Sequence, residues 1–440
     1  MKQQIVNAKI VNEGSIIEGD LLIDGDRIAG INKFSTGIAH TIDADGGYLI
    51  PGMIDDQVHF REPGFEHKAE IATESRAAVA GGITSYMEMP NCNPLTISEE
   101  KLLDKRSRAA EKSLANYAFY LGATNDNLEN IKGVNPALTC GIKIFMGAST
   151  GNMLVDNQQT LEGIFSSTNL LVATHCEDTP TILAAEQGAQ KKWGEEIPFS
   201  EHPNIRSTEA CYKSSSLAVS LAKKYGTKLH VLHLTTEKEL ALFEKGPLEK
   251  KQITAEACVH HLFFSEEDYE LKGALIKCNP AIKKRSDRDS LRKAVIDDLI
   301  DVIATDHAPH TMEEKSEKYL KAPAGLPLVQ HALVSLFEQI REGLFTVEKI
   351  VQKTSHAPAT LFQVADRGFI REGYFADLTI IKPNNAGSHE QILSKCGWSP
   401  FTGHNFSHQV THTWVNGNLA FENNSILDVP KGRALSFDRT

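Results

Sequence analysis

No run of uncharged apolar residues approaches the roughly 18 that a membrane-spanning helix needs, so no transmembrane span is expected. Cysteine is sparse: seven among 440 residues, scattered, and nowhere spaced C-x-x-C. That excludes a disulfide framework or a cysteine zinc module as the organising feature and fits free thiols in a reducing compartment. Excess positive charge is also lacking, with 46 Lys and Arg against 57 Asp and Glu for a net charge of −11. Phosphate affinity needs clustered cations, so neither nucleic acid nor an anionic membrane is an expected partner. The opening residues Met1 to Ile10 alternate and lack the apolar block of a signal peptide, which makes the cytoplasm the expected location. What remains is ordinary globular composition, 41% hydrophobic and 23% charged, which excludes long disorder.

The first fifty residues read as short strands and turns: Ile5 to Val11, a hairpin over Asp20 to Ile28 around a D-G turn, and Tyr48 to Ile50. The far end behaves alike, with Ala376 to Ile381 and a strand from Val410 closing on Asn416-Gly417. If these segments pair, residues 1–52 and 365–440 form one small discontinuous β-sandwich domain. Between them, residues 53–364 alternate short apolar strands with helical stretches, the βαβ signal of a parallel sheet. Strand candidates are Gly52 to Asp55, Thr84 to Met89, Gly141 to Phe145, Leu170 to Thr174, Lys228 to His233, Ile253 to Cys258 and Asp301 to Thr305. Helix candidates include Glu70 to Ala80 and Thr208 to Tyr225. The expected fold class is α/β, a (β/α)8 TIM-like barrel with that terminal β-sandwich.

The polar residues of interest fall at the C-terminal ends of these strands, the active-site rim of such a barrel. Gln57, His59 and Arg61 are two apart, so on one strand they share a face. Lys143 lies inside an apolar strand; burial favours its neutral amine, which can add carbon dioxide to become a carbamate ligand, whereas a lysine at a strand end can also snorkel to water. His175 ends a strand. His230 and His233 are three apart, so at most one is expected to face the barrel axis, and the strand-end position favours His233. His260 and His261 read as supporting or structural residues. Asp306, at the end of Asp301 to Thr305, is placed to act as general base and acid beside metal-activated water. Three histidines, a buried lysine and an aspartate on separate strands suit a hydrolytic zinc centre with open positions.

The segments His59-Phe60-Arg61-Glu62-Pro63-Gly64, Met89-Pro90-Asn91-Cys92-Asn93-Pro94, Cys278-Asn279-Pro280 and Thr305-Asp306-His307-Ala308-Pro309-His310 carry a resemblance. Over essentially its whole length, the chain resembles the amidohydrolase superfamily and, within it, the dihydroorotases of pyrimidine biosynthesis. The resemblance implies one or two zinc ions per chain, one on His59 and Asp306 and a second on His175 and His233, bridged by carboxylated Lys143. It implies Asp306 as proton shuttle, and Arg61, Asn91, Asn279 and His310 as substrate ligands, with backbone groups at Ala324 and Gly325 closing over the ring. The implied substrate pair is the small molecules N-carbamoyl-L-aspartate and L-dihydroorotate, and the resemblance is compatible with a homodimer. Arg61 separates this reading from hydantoinases and dihydropyrimidinases, whose usual substrates carry no such ring carboxylate, and from the more similar allantoinases, in which an asparagine is expected at that position. One departure stands out: the family's first motif is usually H-x-H, and here it is Gln57-Val58-His59. Either the first metal site is weakened, or Gln57 coordinates through oxygen, or one metal suffices; a non-catalytic partner subunit is the reading from another class. Residues 311–327 are placed to act as a lid.

Overall fold

A computed structural model describes residues 2–33, 38, 40–147, 153–384 and 391–439. Eight successive parallel strands run through the middle of the chain among these residues: Met53–Val58, Ile83–Glu88, Asn116–Phe119, Ile142–Phe145, Val172–His175, Leu229–Val231, Ile253–Cys258 and Val302–Ala304. Leu121–Gly122 continues the third strand and pairs with the fourth, joining the first three strands to the rest. The ring closes where Val58 bridges His307 and the His59 N–H donates to the His307 carbonyl at 2.7 Å. Asp55 ties the same seam, accepting the Thr305 amide at 3.1 Å and hydroxyl at 2.6 Å. The fold is a (β/α)8 barrel.

Local sequence explains the elements. The helix Thr208–Tyr225 starts where the Ser207 side chain accepts from Ala210 N–H and stops at Gly226, whose φ of +74° favours glycine. Glu209 in its first turn and Lys223 and Lys224 in its last complement the helix dipole. Its buried face, Ala210, Cys211, Ser214, Ser215, Ala218, Val219, Leu221 and Ala222, repeats at helical spacing. The strand Asn116–Phe119 escapes the sequence reading because it is short and begins with a polar residue; Asn116 is there to hydrogen-bond the Thr84 carbonyl and the Asp377 and Asn416 side chains.

Both chain ends enter one nine-stranded sheet, in which Leu378–Pro383 pairs antiparallel with Tyr48–Pro51. The long strand Lys2–Asn12 carries a bulge between Ile5 and Ala8 and pairs with His40–Asp43 on one stretch and Tyr48–Pro51 on the next. Trp414 Nε1 donates to Gln3 Oε1 at 3.1 Å although two strands separate them in hydrogen-bonded order, so the sheet curls onto itself. Ile5, Ile10, Leu21, Ile23, Leu49, Leu378, Ile380 and Trp414 form the core inside that curl, apart from the barrel's core. No helix of the described residues is long and apolar enough to cross a membrane.

Candidate metal centre and substrate mouth

Three residues at the C-terminal ends of the strands have left-handed backbone: Arg61 at φ +70°, His233 at +39° and Asp306 at +51°. A side chain on Cβ disfavours that region by about 1–3 kcal/mol each, so the surrounding structure is holding these three in place. The consequence is convergence. Gln57 Nε2 donates to Asp306 Oδ1 at 3.1 Å, and His59 Nε2 lies 3.2 Å from the same oxygen. His59 Nδ1–H donates to Asn91 Oδ1 at 2.7 Å, leaving the Nε2 lone pair facing a carboxylate oxygen. On the other side of the mouth His175 Nδ1 and His233 Nε2 are 3.0 Å apart. His175 Nε2–H donates to Glu177 Oε2 at 2.9 Å, which turns the Nδ1 lone pair toward His233. His233 Nδ1 is buried without a hydrogen-bond partner.

The electrostatics match. Burial lowers the pKa of His59 and of His175 and takes His233 well below the ordinary imidazole value, so all three rings stay neutral. Burial alone would raise Glu177, but the Arg206 guanidinium 2.5 Å away, together with His175, holds its carboxyl down at about 2. Lys143 is buried, and desolvation lowers its pKa to about 8 against the opposing pull of Asp306 and Glu256. Its Nζ sits 4.6 Å from the Phe145 ring centre, so the amine is within easy reach of its neutral, nucleophilic form. Neutral imidazoles and a carboxylate whose lone pairs face one another in a dry site fit a cation better than they fit each other.

A second cluster adjoins the first. Arg61 donates from Nε to the Pro309 carbonyl at 3.0 Å and from Nη2 to His310 Nε2 at 3.0 Å. Burial lowers its pKa to about 10, which keeps the guanidinium charged, and no carboxylate among the described residues lies within ion-pair distance of it. Burial and the cations Arg61 and Lys68 push His310 down to about 3. His310 Nε2 also lies 3.1 Å from the Ala324 carbonyl, and a side chain on Gly325, at φ +146°, would strike both the Ala308 carbonyl and the His310 ring. Asn279 Oδ1 is buried and unpartnered.

The structure thus gathers Gln57, His59, Asn91 and Asp306 in one group, His175 and His233 in a second beside Lys143, and Arg61, His310 and Ala324 in a third. Gly325 is less available than the sequence suggests, since its N–H donates to the Lys277 carbonyl at 2.9 Å and its carbonyl accepts from Lys315 Nζ at 3.1 Å. The expected lid over 311–327 is tied down by the same two buried lysines: Lys277 Nζ donates to the Tyr319 and Ala322 carbonyls and Lys315 Nζ to those of Lys277 and Pro323. The expectation that at most one of His230 and His233 faces the barrel axis fails: the strand stops at Val231, His233 leaves it through left-handed backbone to meet His175, and His230 meets Asp56 of the first strand. Sequence reasoning also passed over Glu177, two residues beyond a strand-end histidine, and Glu256, whose Oε1 accepts the His233 N–H at 2.9 Å. Among the described residues, two other buried groups have closely spaced ligand atoms: Cys258 with His260 and His261, and Asp56 with His230 and Glu256.

The profile of the Amidohydrolase family matches residues 48–420. Among curated proteins the chain is 33% identical to a dihydroorotase of Methanosphaera stadtmanae over 388 residues, 86% of each chain. It is 31% identical to a dihydroorotase of Staphylococcus epidermidis, covering 95% of this chain and 99% of that one. An allantoinase of Bacillus velezensis is 29% identical over 95% of this chain and 93% of its own. In fold it is similar to the L-hydantoinase (dihydropyrimidinase) of Arthrobacter aurescens, with a TM-score of 0.93, 24% identity, and coverage of 99% of this chain and 100% of that one.

Proposed function

The chain belongs to the amidohydrolase family, as a hydrolase acting on cyclic amides, and from that premise we propose that it is a dihydroorotase. It interconverts L-dihydroorotate and N-carbamoyl-L-aspartate in pyrimidine biosynthesis. One observation carries this reading above other cyclic amidases: Arg61 is a half-buried guanidinium with no carboxylate partner of its own among the described residues. Dihydroorotate brings a ring carboxylate that completes it; hydantoin and dihydrouracil bring none.

His59 and Asp306 would hold one zinc ion and His175 and His233 a second, with Lys143, once carboxylated, between them. When bound, the metal polarises the ring amide carbonyl and lowers the pKa of water at the mouth. Arg61 anchors the substrate carboxylate, Asn279 offers its unpartnered oxygen to a ring N–H, and Asn91 fixes the His59 tautomer. Asp306 takes the proton of the attacking water and delivers it to the departing ring nitrogen; in the cyclising direction it removes the ureido nitrogen's proton. Gln57, whose amide N–H points at Asp306, orients that carboxylate.

The test is turnover of dihydroorotate by protein supplied with zinc and bicarbonate, followed in the ultraviolet. Asp306→Ala should reduce the rate by at least about 100-fold, the usual range for a lost general acid–base. Faster turnover of hydantoin or dihydrouracil than of dihydroorotate would move the assignment to another cyclic amidase.

A further inference from the structure

Below the mouth, three strands send polar side chains into the closed interior of the barrel. Asp56 comes from the first strand, His230 from the sixth and Glu256 from the seventh, and all three are fully buried. The first and sixth strands are not neighbours, so Asp56 and His230 meet only across the interior. Asp56 shares its strand face with Ile54, which packs in the barrel interior, and a register shift follows between Asp55 and Val58.

The group is poorly satisfied as it stands. Neither carboxylate oxygen of Asp56 has a hydrogen-bond partner, nor has Glu256 Oε2. The Thr254 hydroxyl donates to the Leu229 carbonyl at 3.2 Å, so it accepts from His230 Nδ1–H at 2.8 Å. That fixes the ring with Nε2 toward the acids, the orientation a backbone-relayed hydrogen bond imposes on metal-ligating histidines. Nε2 stands 3.3 Å from Asp56 Oδ2 and 3.6 Å from Glu256 Oε2, completing a hydrogen bond with neither. Ligand atoms about 2.0–2.2 Å from a tetrahedral ion are about 3.3–3.6 Å from one another, and both distances from His230 Nε2 fall in that range. A second proton on His230 would neutralise one acid, and the other would then need a proton of its own in a dry core. A divalent ion neutralises both.

We propose that Asp56, His230 and Glu256 form a closed zinc site in the barrel core, separate from the metals at the mouth. One nitrogen and two carboxylate donors suit zinc, and Asp56, with both oxygens free, can bind it as a single chelating carboxylate. The ion clamps strands one, six and seven together. Through Glu256 Oε1, which accepts the His233 N–H, it also steadies the strained backbone that carries a mouth histidine.

The test is anomalous diffraction from crystals of the full chain expressed and purified with zinc, recorded on both sides of the zinc edge. The expected result is a peak between Asp56, His230 and Glu256, lost in Asp56→Asn and retained through dialysis against a chelator. The wild-type map decides the matter even where that variant fails to fold. Peaks confined to the mouth would overturn the proposal in favour of a doubly protonated His230. A peak in the core at the manganese or iron edge and not at the zinc edge would overturn the zinc assignment. None of these readouts depends on which cyclic amide the enzyme turns over.

Discussion

If the chain is the dihydroorotase proposed above, Arg61 decides which ring enters the mouth, because a half-buried cation with no anion of its own among the described residues penalises any substrate that fails to supply one. Hydrogen bonds to a charged group contribute about 1.5–3 kcal/mol, so Arg61→Met should lower kcat/KM for dihydroorotate by on the order of 10- to 100-fold. The loss should fall mainly on KM, since the carboxylate is held equally before and during the reaction. Steady-state kinetics of Arg61→Met and Arg61→Lys check this; the lysine variant should rescue little, as an ammonium cannot form the planar fork. Gln57→His replaces an amide with an imidazole beside His59 and Asp306, and metal analysis should find tighter retention of zinc at the mouth than in the parent chain. The residues paired here were legible in the sequence because histidine and aspartate at strand ends are conspicuous. Asp56 and Glu256 were not, because nothing in an apolar-strand pattern says which acid points inward.

Lys315 shows what governs the segment 311–327. Burial, helped by nearby Lys277 and Arg61, lowers its amine to about 7, and it donates to three carbonyls. An unfolded lysine keeps its proton to about pH 10.4, so between pH 7 and 10 the unfolded state binds more protons than the folded one. Stability from this group therefore rises with pH across that window and is lost as pH falls through 7. Denaturant titrations of wild type and Lys315→Met at pH 7, 8 and 9 should show a gap widening by up to about 1.4 kcal/mol per pH unit. A gap that does not change with pH would mean Lys315 stays protonated in the fold. Position after the last cluster suggested a lid here; burial of two lysine heads as carbonyl staples has no signature in the letters. The missed strand Asn116–Phe119 is the same lesson: its polar first residue serves a distant partner.

That distant partner is the terminal sheet, and the contact should make barrel and sheet one folding unit. Alternation and turn residues were enough to read both chain ends as strands, but not the buried polar network that fastens them to the barrel. Asp377 pairs with Arg367, accepts from Asn116 Nδ2 at 3.2 Å and takes the Asn416 N–H at 2.7 Å. Asn416 in turn donates to Asn116 Oδ1 at 2.8 Å and accepts from Arg367 Nη2 at 2.8 Å, closing the loop. Arg367 and Asp377 are almost wholly buried, so removing one partner strands an uncompensated charge, a loss of about 3–5 kcal/mol. Asp377→Ala should lower the Tm by several degrees, and calorimetry should show a single transition in the wild type. In the variant the sheet should melt ahead of the barrel, as two transitions, because the groups that coupled them no longer match. One undivided transition in Asp377→Ala, at an unchanged Tm, would mean that the apolar contact between sheet and barrel couples them without the network.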